Sequence, residues 1–291
     1  MKLAIIMALA FFAPLLFLST VPAEKKMTIQ DAVKSRQATV SVVSKGGHSG
    51  SCLSLTVANT SGQKAIFMIP PGTVFKAADE GEQDIFVVKA QLITLNAAQK
   101  KTIDASGFCC QLHDRSPGSG SAFNVDITSN EKLKKLAEHI NQGSYPADVY
   151  QEAIWCVSDG NPVSNIYAEG EAAEKAVKPL KDFICQLTGQ KEAWYSTQQN
   201  RTLTPEREIV SQPVKVKGDL EYKTTKGEQL RRDVVGPDGK VIDELGYSSV
   251  SPMTGTLTYG FQLEVEGWDK GVYKVIVSAN KKVLLEQEFE I

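Results

Sequence analysis

The hydrophobic period changes twice along this chain, and that double change limits the fold more than any single motif does. From Ala38 to about His113, apolar residues alternate with polar ones, as in Leu53, Leu55 and Val57, and again through Ile66, Met68, Ile85 and Val87. A period of two marks strands with one buried face. Turn-forming clusters punctuate these runs: Gly46-Gly47, Asn59-Thr60-Ser61-Gly62, Pro70-Pro71-Gly72 and Asp79-Glu80-Gly81. Past Asp114 the period becomes helical. Thr128 and Glu131 have the T-x-x-E spacing of a capping box, and Leu133, Leu136, Ala137 and Ile140 follow at helical spacing until Gly143. A second helix is expected from Pro146, with Val149, Ala153, Cys156 and Val157 on one face and Asp159-Gly160-Asn161-Pro162 as its stop. A third spans about 171–187, with Ala172, Ala176, Val177, Leu180, Phe183, Ile184 and Leu187 inward, and Pro179 is expected to kink or divide it.

Residues 196–212 are polar, contain Pro205 and show no sustained period, which predicts a linker. Beyond it the period returns to two. Leu257, Tyr259, Phe261, Leu263 and Val265 alternate with polar residues or Gly, Gly236-Pro237-Asp238-Gly239 reads as a tight turn, and Tyr273, Val275, Val277, Leu285, Phe289 and Ile291 supply further inward positions. The expected architecture is a β-rich α+β domain over 24–195, a linker over 196–212, and an all-β immunoglobulin-like sandwich over 213–291.

The N-terminus has the form of an export signal. Lys2 precedes an uncharged apolar run from Leu3 to Leu18, and Val21-Pro22-Ala23 presents small residues at a cleavage site, so residues 1–23 are expected to be removed as a signal peptide. That run is interrupted by Pro14 and is shorter than the roughly 20 residues that cross a bilayer. No other stretch is long enough, so no transmembrane segment is expected in the mature chain. Localisation follows as exported: periplasmic, cell-surface or extracellular. The formal charge of −2 and the absence of a basic face argue against nucleic acid as a partner.

Five cysteines, Cys52, Cys109, Cys110, Cys156 and Cys185, fall within the first domain. In an oxidising compartment they tend to pair, and an odd count leaves one over. Cys52, Cys156 and Cys185 are the disulfide candidates. His48, His113 and His139 show no metal-ligand spacing with one another or with the cysteines, so no metal or other cofactor is expected. His139 reads as a solvated residue on the polar side of its helix.

The most specific local feature is Phe108-Cys109-Cys110 followed by Tyr150-Gln151-Glu152-Ala153-Ile154-Trp155, with Pro117 between them and Ser158-Asp159-Gly160 after them. This combination resembles the thioester domains of bacterial surface adhesins, which pair an aromatic-Cys motif on a strand with a T-Q-x-A-[IL]-W motif on a helix. Tyr150 stands where that family has Thr. The resemblance covers residues 108–160 and implies that the sulfur of Cys109 or Cys110 is joined to the side-chain carbonyl of Gln151, forming a bond open to attack by a nucleophile on a target surface. Trp155, one turn after Gln151 on the same helix face, is placed to shield such a bond. The C-terminal region, with Gly271-Val272-Tyr273 before a final strand, resembles the sorting domains of type IX secretion cargo.

The function these features predict is a secreted or surface-exposed binding or adhesion protein, with a surface protein or glycan as ligand and no catalytic residues of its own. Two alternatives rest on other residues. Gly47-His48-Ser49-Gly50-Ser51-Cys52, together with His113-Asp114, allows an extracytoplasmic Cys/His-dependent enzyme. Disulfides that merely staple the fold would make the chain a structural envelope protein.

Overall fold

The computed structural model describes residues 25–127, 130–246 and 248–291. The expected signal peptide lies outside them, as does Thr128 of the expected capping box. Nine strands come first: β1 (Lys25–Thr28), β2 (Ala38–Ser44), β3 (Ser49–Asn59), β4 (Ala65–Ile69), β5 (Thr73–Ala77), β6 (Ile85–Phe86), β7 (Gln91–Leu95), β8 (Lys100–Cys109) and β9 (Ala122–Ile127). A short helix, α1 (Ile29–Lys34), follows β1 directly, its first turn capped by the Thr28 hydroxyl, which accepts from the Asp31 amide.

Six of these strands close into a barrel in the order β2-β3-β8-β6-β5-β9, and β1, β4 and β7 form a separate small sheet. The alternation read in the sequence is what fills both. Leu53, Leu55, Val57, Phe75, Ile85 and Ala105 turn into one buried cluster together with Phe67, Ile69 and Leu95 of the small sheet. The ring closes through short contacts at two points, where Val42 and Val43 of β2 meet Phe123 and Ala122 of β9 and the two residues of β6 bridge β5 and β8.

Three helices then cover one side: α2 (Glu131–Gln142), α3 (Tyr150–Ser158) and α4 (Glu171–Thr188). Asn130 caps α2, its side-chain oxygen accepting from the Lys132 and Leu133 amides. Leu133, Leu136, Ala137 and Ile140 face inward, as their spacing predicts. Pro179 does not divide α4, which runs unbroken to a left-handed Gly189 at its C-cap. His139 is half-buried and not solvated: its ring stacks on Phe183 of α4 at 3.9 Å, and Tyr145 approaches its Nε2 at 2.8 Å.

The remaining strands are β10 (Tyr195–Leu203), β11 (Ile209–Thr224), β12 (Gln229–Val235), β13 (Val241–Glu244), β14 (Ser249–Val250), β15 (Gly255–Glu264), β16 (Val272–Ala279) and β17 (Lys282–Glu290). One sheet has the order β10-β11-β15; the other has β13-β12-β16-β17, with β14 also on β12. Val216, Leu220, Tyr222, Val234, Phe261, Val275, Val277 and Phe289 share a core to which both sheets contribute.

The sequence-based linker is therefore corrected. Residues 196–212 lie in β10 and the first part of β11, a hairpin paired from Tyr195↔Gly218 to Leu203↔Ile209. Apart from Ser196 and Thr197 its positions are exposed or half-buried and mostly polar, so no hydrophobic period marks it. Pro213 sits at a β-bulge where Gln198 opposes Lys215 and Gln199 opposes Pro213, leaving Val214 as the extra residue. Among the described residues, no helix is long and apolar enough to cross a membrane.

Candidate functional site

Pro146 and a single 3-10 turn set the entry to α3, which places Gln151 in its first turn facing the end of β8. The Gln151 side chain is buried and makes two hydrogen bonds to one residue. Its Nε2 donates to the carbonyl oxygen of Cys109 at 2.8 Å, and its Oε1 accepts from the Cys109 amide at 3.1 Å. The same amide also donates to the His48 carbonyl at 2.9 Å. A primary amide held at both ends has one orientation, with its carbonyl polarised by a main-chain N–H.

The two adjacent cysteines point into different interiors, because successive side chains alternate across a strand. Cys109 belongs to the barrel core, where Trp155 also lies, whereas Cys110 packs among Val149, Tyr150 and Ala153 beneath the helices. Gln151 and Trp155 are one turn apart and share the helix face turned toward the barrel. Gln151 thus hydrogen-bonds the main chain of Cys109, whose side chain shares a core with Trp155.

The segment around these cysteines is held from both flanks. Asp84 accepts from the Cys110 amide through its carbonyl at 3.0 Å, and its own amide donates to Gln111 Oε1 at 2.8 Å. Asp159, just past the end of α3, accepts from the Leu112 amide at 2.9 Å and from the Ser158 hydroxyl at 2.6 Å. The Ser158-Asp159-Gly160 motif thus ties the helix end to the cysteine loop.

Trp155 is fully buried, one helical turn after Gln151. The His48 ring stacks on it with centroids 6.1 Å apart, and the Arg201 guanidinium lies 4.9 Å from its ring centroid. Arg201, from β10, also forms an ion pair with Glu152. Burial pushes the Glu152 carboxyl up to about 7, against the opposing pull of Arg201. Burial, with Arg201 adding to it, holds His48 below its ordinary value.

No disulfide joins the five cysteines among the described residues, Cys52, Cys156 and Cys185 included. Each has another partner or setting. Cys52 donates to the Gly107 carbonyl at 3.5 Å inside the barrel, Cys156 donates to the Pro162 carbonyl at 3.5 Å, and Cys185 is partly exposed on α4. Burial raises the Cys52 thiol to about 11 and the Cys110 and Cys156 thiols further. Cys109 is raised well above its usual value by burial, with Cys52, Cys110 and Asp84 adding to the effect. Such thiols lack the depressed pKa of a turnover nucleophile. The His48 ring faces Trp155, and its carbonyl accepts from the Cys109 amide.

Two contributors were missed in the sequence. Arg201 was hidden because its segment reads as a linker. Glu152 carried a usable signal: every residue from Tyr150 to Cys156 is buried, and an acid in such a run needs a cationic partner from elsewhere in the chain. Compared with protein-family models and with characterised proteins, the sequence matches none.

Proposed function

We propose that this chain is an exported surface-binding protein whose Cys109 and Gln151 form an internal thioester for covalent attachment to a target. One observation carries the reading: the Gln151 amide is clamped to both main-chain groups of Cys109, so the acyl carbon and the sulfur belong to groups already held together. In the forming step the Cys109 sulfur adds to the Gln151 carbonyl carbon. The oxyanion is met by the Cys109 N–H, and the C–N bond breaks. The thiol proton leaves with the amide nitrogen as ammonia. A protonated buried thiol reacts slowly, yet maturation occurs once per molecule, and well-oriented intramolecular groups reach effective molarities of about 10⁵–10⁸ M. In the attachment step a target amine adds to the same carbonyl, an amide forms, and the Cys109 thiol is released.

The second unit fits an immunoglobulin-like sandwich that supports and presents the first, and its ligand class is a surface protein or glycan bearing a nucleophile. Intact-mass measurement tests the reading. The mature protein is expected to weigh about 17 Da less than its sequence, the mass of expelled ammonia, and to gain one methylamine with release of one thiol. Gln151→Ala is expected to lose both effects. A wild-type mass equal to the sequence mass, with no amine uptake, makes Gln151 a structural strap only.

A further inference from the structure

The β10–β11 hairpin belongs by its pairing to the second unit, yet its far half lies on the first. Four of its residues hold it there. Arg201 reaches Glu152 and the face of Trp155, and Gln199 meets Asn165 at 3.2 Å. Arg207 pairs with the buried Glu82 at 2.5 Å and donates to the Ser116 carbonyl at 3.1 Å, while the Ser116 amide donates to the Arg207 carbonyl at 2.8 Å. Ile209 packs against the barrel core.

These contacts are almost all polar and lie on one face of the hairpin. Thr202, Leu203, Pro205, Glu206, Glu208 and Val210 on its other positions are exposed. Arg207 itself holds a left-handed backbone, φ 68°, which a non-glycine residue adopts at a cost. An element with few buried apolar contacts opens at lower free energy than the barrel it covers. What it covers, through Arg201, is Trp155, which is fully buried one helical turn from Gln151.

We propose that the β10–β11 hairpin is a latch on the Cys109–Gln151 site, with Arg201 and Arg207 as its two catches. This rests on the thioester reading for its chemistry and on the hairpin contacts for its geometry. With the latch closed, Trp155 is pinned from outside and nucleophiles larger than methylamine are excluded. With it open, α3 can shift enough for a lysine side chain of a target to reach the acyl carbon. Docking on the hairpin would thus control when the bond reacts, and would protect it from water beforehand.

The test compares wild type with Arg201→Ala, Arg207→Ala and the double variant, using methylamine and a lysine-containing peptide as amines. Each single variant is expected to take up the peptide about tenfold faster than wild type, and the double variant faster still, with a smaller gain for methylamine. Val277→Ala, which loosens only the second core, is expected to keep the wild-type rate. Unchanged peptide rates in the arginine variants, or equal acceleration by Val277→Ala, overturn the latch. If the wild-type mass shows no thioester, that reading fails separately. Cys109 is then a free thiol, and its alkylation by iodoacetamide reads the same access: faster in the arginine variants if the latch exists, unchanged if it does not.

Discussion

The barrel-and-helix unit and the paired-sheet unit solve stability in different ways. The first buries polar groups in quantity: Gln30, Asn59, Glu82, Gln83, Gln151 and Glu152 all lie below the surface. The second has an apolar core between sheets, with Arg232 as its deepest charge, held by the Tyr222 hydroxyl at 2.6 Å and the Tyr259 ring at 4.1 Å. Its other ion pairs, such as Arg231 with Glu244 and Lys274 with Glu286, stand in solvent. Buried polar groups cost free energy unless every bond is made, and a fold carries them where a particular geometry must be held. The first unit is built around positions, the second around packing.

The sharpest way to break this contrast is at the cysteines. Cys109→Ser is expected to abolish the mass deficit and amine uptake completely, whereas Cys110→Ser, whose side chain lies under the helices, keeps both; intact mass after methylamine treatment decides. Retained uptake in Cys109→Ser would reassign the sulfur.

Next in size are the aromatic anchors. Trp155→Ala and Phe289→Ala each remove a large, fully buried side chain and are expected to cost about 3–5 kcal/mol in denaturant unfolding. Only Trp155→Ala is expected to raise hydrolysis of the proposed thioester as well, because Trp155 lies one helical turn from Gln151 whereas Phe289 belongs to the other core.

A smaller effect concerns pH. Glu152 has a folded pKa of about 7 against an ordinary 4.5, so the folded state holds this proton more tightly than the unfolded chain. Its contribution is fully present below the unfolded value and is lost as pH rises through the folded one, and wild-type stability should therefore fall between about pH 4.5 and 7. Glu152→Gln is expected to flatten that slope in denaturation measured across the window. At the bottom of the scale, Lys274→Ala removes exposed pairs on the second unit and is expected to leave the unfolding midpoint where it was.

Much of the fold was legible because period is a local property. Helix α2 and the alternation of β15 follow directly from side-chain spacing, as Leu136, Ile140, Phe261 and Leu263 illustrate. The pairing of Gln151 with the aromatic-Cys motif was legible through a motif, and the choice between Cys109 and Cys110 required knowing which way β8 faces. The hairpin was not legible. Its residues answer to two neighbours at once, so Arg201 sits in β10 where a single-core strand would carry an apolar residue, and Arg207 lies in the connecting turn. The acceptor of the Cys156 thiol was equally hidden, since the Pro162 carbonyl is supplied by a loop whose course no local pattern fixes.

One extra residue, Val214, has a consequence for how this chain can vary. Along β11, sixteen residues long, Val216, Leu220 and Tyr222 face the second core, and strict alternation would turn the odd-numbered Ile209 to the opposite side. The bulge resets the phase, so that Ile209 packs on the first core while the even positions beyond it pack on the second. Insertions or deletions in this hairpin should therefore be tolerated in pairs and rejected singly. Loss of Val214 alone would leave the second core in place and turn Ile209 away from the barrel, removing one of the contacts that join the two units.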